Sequence, residues 1–191
     1  MGLIKEPRDD FLLDVDTEYS KTVQDTNLHG RVVEIAGVRI AGLGGIFRGE
    51  IWDPAQAPQY DSYQAYCSRE YGRHRHRGAV QSILQGRALR HLSTDFLDVY
   101  EGLFDQEADI LVTHEAPSCH PYGFEAIDDL AQAMGVSRLF HGHHHDSLDY
   151  SAWEARLGFK AHGVGFCGIM DAQGTRLRPG AFDHQRRFRE K

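Results

Sequence analysis

Four histidines lie within five positions of the stretch LFHGHHHDSLDY, which covers residues 139–150. They are His141, His143, His144 and His145. Neutral imidazoles bind borderline metals such as zinc and iron. The alternatives to a metal site are an expression tag and a polar loop that is rich in histidine by chance. The tract is internal and is interrupted by a glycine, which excludes a hexahistidine tag. A metal site remains the leading interpretation, and it requires further ligands from elsewhere in the chain.

The residues around this tract predict the elements that would position it. Residues 109–113, DILVT, form a short apolar run that predicts a buried strand, and His114 follows it directly. Residues 124–134, FEAIDDLAQAM, have one apolar helical face, and Gly135 fits the C-terminal cap. Residues 136–140, VSRLF, predict a second strand that leads into the histidines. The order is therefore strand, helix, strand.

This order predicts two parallel strands joined by a right-handed crossover. The carboxyl ends of parallel strands lie at one edge of the sheet, where open α/β folds place their sites. We therefore expect His114 to lie near His143 and His145, with Gly142 allowing a sharp turn between strand and histidines. For His114 alone, a structural histidine is the alternative. We interpret as ordinary polar residues the histidines without such an arrangement: His29, His74, His76, His91, His120, His162 and His184.

The rest of the chain gives a coarser prediction of secondary structure. The pattern predicts strands over 31–35 and 38–43 joined at Ala36-Gly37, a loop over 52–78, a helix over 79–92, and a helix capped by Ser93 or Thr94 that continues to residue 104.

Composition narrows the class of protein. The chain has 191 residues, which is enough for one domain with a sizeable core. It contains no apolar run that is long enough to cross a membrane. A formal net charge of −7 argues against a nucleic acid as partner. Three cysteines, an odd number without a CxxC pair, favour a reducing compartment. We therefore expect a cytoplasmic protein with no membrane partner.

The histidine motifs resemble those of a known family. DILVTHEAPS (109–118) followed by FHGHHHD (140–146) is similar to the C-terminal half of the calcineurin-like metallophosphoesterases. In that family one histidine follows a strand, and a later Gly-His-x-His motif supplies two more. The first matches His114, and the motif matches the segment from Gly142 to His145. With weaker similarity over 31–45 and 158–174, the resemblance covers roughly residues 28–180.

The resemblance implies a fold and an activity. The fold is α/β: a partial four-layer αββα sandwich with mixed sheets over 28–180, between an irregular segment 1–27 and a polar tail 181–191. The activity is hydrolysis of a phosphate ester by a metal-activated hydroxide. The cofactors are one or two divalent ions, Mn²⁺, Fe²⁺/Fe³⁺ or Zn²⁺. His114 and His143 would bind one ion and His145 the other.

The chain departs from the family pattern in its N-terminal half. It has no Asp-x-His, Gly-Asp or Gly-Asn-His motif, so the first βαβ region is expected to be absent. In FLLDVDTEY, Asp14 falls where the family has an asparagine ligand, and Val15 where it has a histidine. A solvated acidic turn is the alternative for Asp14. A missing region would expose a sheet edge and an apolar face, so we expect a homodimer or a separate N-terminal fragment as partner. A catalytically weak or inactive metal-binding or interaction module of the same fold is the alternative function.

Overall fold

The computed structural model describes residues 27–74 and 90–184. The chain divides into two compact units. One unit comprises Gly45–Val99 together with Met1–Leu28, and the other comprises His29–Gly44 together with Tyr100–Lys191. The domain boundaries expected from the sequence, at 27/28 and 180/181, stay predictions.

The second unit is built on a mixed five-stranded sheet in the order β1-β2-β3-β4-β5. Its strands are β1 (Arg31–Ile35), β2 (Val38–Leu43), β3 (Ile110–Thr113), β4 (Arg138–His141) and β5 (Lys160–Gly163). β1 pairs with β2 antiparallel, and the other three pairings are parallel. The α/β class is therefore confirmed.

The β1–β2 hairpin has the bounds that the sequence predicts. Its two turn residues, Ala36 and Gly37, both have positive φ, at 52° and 78°. That conformation is typical of the two-residue turns whose twist matches the flanking strands, and glycine adopts it without a steric penalty.

The β3–β4 crossover is also confirmed, with helix α3 (Glu125–Ala133) between the two parallel strands. The apolar face of α3 is buried, and Leu130 has no exposed surface. Leu111 and Leu139, which pair across β3 and β4, are equally buried. The apolar periodicity predicts this arrangement because burying one helical face against a sheet removes most of its apolar surface from water.

The remaining elements of this unit are shorter: a 3₁₀ helix (Ser151–Trp153), α4 (Glu154–Leu157), and the antiparallel pair β6 (Ile169–Met170) and β7 (Arg176–Arg178). Helix α2 (Leu97–Phe104) joins the two units along the chain. It begins later than the predicted caps Ser93 and Thr94. The reason is that the Asp95 N–H donates to the Ile46 carbonyl, which holds that part of the backbone extended.

In the first unit, the prediction of a loop over 52–78 was wrong for residues 63–74, and residues 75–78 lie outside the described residues. Helix α1 occupies Tyr63–His74. Ser62 caps it, because its hydroxyl accepts a hydrogen bond from the Ala65 N–H at 3.0 Å. Tyr66 and Cys67 are buried residues of this helix. Because most of the other residues of the helix are polar, the sequence shows little apolar periodicity there. The helix predicted over 79–92 lies largely outside the described residues.

No helix in the described ranges combines the length and the apolar character needed to span a bilayer.

Candidate metal centre

Three side chains of types that can bind metal ions converge at the carboxyl ends of β3 and β4. The Nδ1 of His143 lies 3.1 Å from the Nε2 of His114, and the two rings meet edge to face at 82°. A carboxylate oxygen of Glu115 completes the group, in which the three donor atoms lie within 4.8 Å of one another. Glu115 is buried, with 4% of its surface exposed. We call these three residues the donor cluster.

Backbone hydrogen bonds fix the two segments that carry the donor cluster. The His114 N–H donates to the Leu43 carbonyl on β2, which extends the sheet by one residue. The His143 N–H donates to the His114 carbonyl at 3.0 Å, so the two histidines are joined through the main chain as well. The Thr113 hydroxyl donates to the Glu115 carbonyl at 2.6 Å and turns the chain directly after β3.

The separation of the two nitrogen atoms in the donor cluster fits a divalent metal ion. Two nitrogens that each lie 2.0–2.1 Å from a tetrahedral zinc are about 3.3 Å apart, close to the separation of the His114 and His143 nitrogens. Two imidazoles and one carboxylate are also a ligand set that zinc and non-haem iron use in enzymes. A cation would offset the charge of the buried Glu115 carboxylate.

The structure brings together two of the four residues predicted as ligands from the sequence. His114 and His143 meet as the crossover topology predicts. His145 does not belong to the donor cluster: it has a φ of 56°, and its ring lies 5.2 Å from that of Phe166. Asp14 lies outside the described residues. The role of all four as ligands stays a prediction.

Sequence reasoning missed Glu115, although it directly follows His114. The resemblance places the carboxylate ligands in the N-terminal half, and it therefore gives no reason to expect a ligand directly after the first histidine. Neighbouring residues of a strand point to opposite faces. Glu115 joins His114 only because the chain has already turned after Thr113.

A second group of polar side chains lies beside the donor cluster. His120 is buried, and its Nε2 lies 3.4 Å from the Oδ2 of Asp146. Its ring stacks on that of His144, with centroids 3.8 Å apart and planes at 11°. The sequence interpretation of His120 as an ordinary polar residue therefore differs from its place in the structure. We call His120, His144 and Asp146 the flanking cluster.

Electrostatics in this region favour neutral imidazoles. Burial, followed by the charge that His120 can carry, lowers the pKa of His141 to about 3. Burial and the same neighbour lower the pKa of His144 to about 4. Burial opposes ionisation of Asp146, yet the His120 hydrogen bond and the surrounding imidazoles hold the pKa of Asp146 below its usual value. At neutral pH the Asp146 carboxylate therefore lies beside the uncharged rings of His141 and His144.

The turn that carries His120 is tightly packed around Gly123. A Cβ at this position would lie 1.8 Å from the Pro117 carbonyl oxygen. Gly123→Ala is therefore expected to lower the free energy of unfolding by about 1–3 kcal/mol. The matched control is Gly102→Ala in α2, where a Cβ meets nothing within 4 Å. This change should stabilise the protein by about 0.5–1 kcal/mol through helix propensity. Urea unfolding of both variants measures the two effects, and equal stabilities would contradict the packing described.

Two cysteines of the unit that contains the donor cluster are expected to react with an alkylating reagent at different rates. Burial raises the pKa of the Cys119 thiol from 9.0 to about 12, which lowers its thiolate fraction near neutral pH about 1,000-fold. Cys167 is exposed. Iodoacetamide at pH 8 should alkylate Cys167 first and leave Cys119 unmodified in the folded protein, as peptide mass spectrometry can measure. Modification of Cys119 at the rate of Cys167 would contradict the burial.

Comparison with known proteins identifies one close relative, a protein of Haemophilus influenzae described as an uncharacterized protein. It is 43% identical over 162 residues, and the alignment covers 85% of this chain and 67% of that protein. No protein-family model and no solved structure matches the chain.

Proposed function

We propose that this chain, which belongs to the same family as the uncharacterized Haemophilus influenzae protein, is a metal-dependent hydrolase of phosphate esters. The observation that carries the proposal is the convergence of His114, Glu115 and His143 at the carboxyl ends of the parallel strands β3 and β4. The carboxyl ends of parallel strands are where α/β enzymes place their sites. The sequence resemblance to the calcineurin-like metallophosphoesterases supplies the reaction class.

The three donors have separable tasks in this proposal. His114 and His143 present nitrogen atoms 3.1 Å apart, and the main-chain hydrogen bond between them keeps that separation. Glu115 supplies the negative charge that retains a cation in a buried position. A bound divalent ion would lower the pKa of a water molecule and neutralise charge on the phosphate ester. The cofactor would be one or two ions of Mn²⁺, iron or Zn²⁺. One ion would lie at the donor cluster, and His145 would be a ligand of a second ion if two are bound.

Further expectations accompany this function. They are the four-layer sandwich, completion of the domain by a second copy or an N-terminal fragment, and a cytoplasmic setting.

The alternative is a metal-binding or interaction module without turnover. It is supported by the size of the donor cluster, because three donors hold one ion and His145 lies against Phe166. A centre with two bridged ions needs additional carboxylates.

Two measurements on the full chain test the proposal. Mass spectrometry of the purified protein should find Mn, Fe or Zn in stoichiometric amounts. Hydrolysis of bis-p-nitrophenyl phosphate with added Mn²⁺ should proceed and should stop when a chelator is added. Stoichiometric metal without hydrolysis would support the metal-binding module. Absence of metal binding would overturn both the hydrolase and the metal-binding module, and would leave only an interaction module.

A further inference from the structure

The flanking cluster joins two segments of backbone, and the Tyr122 ring adds a contact with the His144 ring at 5.9 Å between centroids. His120 lies on the turn that follows the first donor histidine, and His144 and Asp146 lie on the loop that carries the second. One side chain of the turn therefore contacts two side chains of the loop. The donor cluster lies where these same two segments meet.

The turn itself is firmly anchored. The His120 N–H donates to the Pro117 carbonyl at 3.0 Å, and the Gly123 N–H donates to the His120 carbonyl at 2.9 Å. The hydroxyl and N–H of Ser118 both donate to the carboxylate of Asp128 on α3. These hydrogen bonds hold His120 in place, so its side chain can position His144 and Asp146.

The hydrogen bonds of His120 have a defined direction. Its Nδ1 accepts a hydrogen bond from the Tyr122 N–H at 3.1 Å, so the ring hydrogen of the neutral form is on Nε2. That hydrogen points to the Asp146 Oδ2 at 3.4 Å. Asp146 is held at its backbone as well, since its carbonyl packs against Gly163 of β5, where a Cβ would lie 2.8 Å away.

The flanking cluster contains His144, the residue next to donor His143. Its ring lies flat on the His120 ring and edge-on to the His143 ring, with centroids 4.8 Å apart in the second contact. The order of contacts is therefore Asp146 to His120, His120 to His144, and His144 to His143. Displacing the first pair would release the ring that packs against the donor.

We infer that His120 and Asp146 are a positioning pair, which holds the loop 142–146 against the turn 117–122 so that the His143 nitrogen faces His114 for metal binding. The inference rests on the metal site of the proposed function and adds residues outside the donor cluster. Residues that orient metal ligands through hydrogen bonds typically change metal affinity 10- to 100-fold when they are replaced.

Titration of the full chain with Co²⁺ alone tests the pair, followed by the visible absorption of the bound ion. Asp146→Ala removes the acceptor, and His120→Phe removes the hydrogen bond while keeping a buried ring to stack on His144. We expect each variant to bind Co²⁺ about tenfold more weakly, with an altered absorption band. The double variant should bind no more weakly than either single one, because the residues act as a unit.

Two controls separate positioning from general destabilisation. Asp146→Asn keeps an oxygen acceptor and should restore affinity to within about threefold. Asp149→Ala, an exposed aspartate on the same connection, should leave affinity and spectrum unchanged. Thermal unfolding of the metal-free variants confirms that they are folded. If Asp146→Ala is unstable, His120→Phe keeps the test decisive, because wild-type affinity and spectrum without the His120–Asp146 hydrogen bond would still overturn the positioning pair.

The outcomes for the two proposals are distinct. Wild-type affinity and spectrum in both Asp146→Ala and His120→Phe would overturn the positioning pair, whatever the hydrolytic activity. Weakened Co²⁺ binding in these variants, with a wild-type protein that cleaves no phosphate ester, would uphold the pair and overturn the enzyme. A wild-type chain that binds no Co²⁺ would overturn both.

Discussion

Replacing His143 with alanine is expected to abolish metal-dependent phosphodiester hydrolysis and to weaken divalent metal binding by more than about 100-fold, beyond the loss typical of residues that only orient a ligand. The change removes one of two nitrogens that lie 3.1 Å apart and leaves His114 with Glu115. Isothermal titration with Zn²⁺ and a bis-p-nitrophenyl phosphate assay with Mn²⁺ measure the two effects.

The matched control for this prediction is His184→Ala. His184 is exposed and lies outside the donor cluster, so its replacement should leave affinity and rate within about twofold of wild type. The same variant shows whether loss of any one imidazole weakens binding through nonspecific coordination. Retention of wild-type turnover by folded His143→Ala protein would contradict the role assigned to His143.

Replacing Glu115 with glutamine is expected to have the second largest effect, a loss of metal affinity of about 10- to 100-fold. The substitution keeps the size of the side chain and removes the charge that offsets a cation in a buried position. The shift in melting temperature on adding Zn²⁺ should therefore shrink, because stabilisation by a ligand depends on its affinity for the folded state. Thermal unfolding with and without metal measures this shift.

Glu101→Gln serves as the control for the charge itself. Glu101 is exposed on α2, and its replacement changes the net charge by the same amount. It should leave the Zn²⁺-dependent shift unchanged. An equal reduction in both variants would show that overall charge, and not the position of Glu115, controls metal binding.

The sequence was sufficient to predict the frame of the site. Apolar runs and an amphipathic helix predict the β3–β4 crossover, and parallel pairing then places His114 beside His143. These predictions succeed because strand and helix periodicity follow from burial of one face. The positions of the two histidines at the strand ends are enough to predict that they lie close together.

The parts that escaped prediction depend on turns and on long-range packing. Glu115 enters the donor cluster through the turn after Thr113, and His120 reaches Asp146 across 26 positions of sequence. Neither contact leaves a periodic pattern in the sequence. Helix α1 escaped for a different reason, since it buries Tyr66 and Cys67 among many polar residues.

Anomalous X-ray diffraction from crystals grown with Zn²⁺ tests the metal centre most directly. The expected result is an anomalous peak bonded to the Nε2 of His114, the Nδ1 of His143 and a carboxylate oxygen of Glu115, at zinc–nitrogen distances of about 2.0–2.1 Å. Data collected on both sides of the zinc absorption edge would identify the element. Zinc bound only at other histidines, with the donor cluster empty at saturating metal, would contradict the assignment of these three residues as the metal centre.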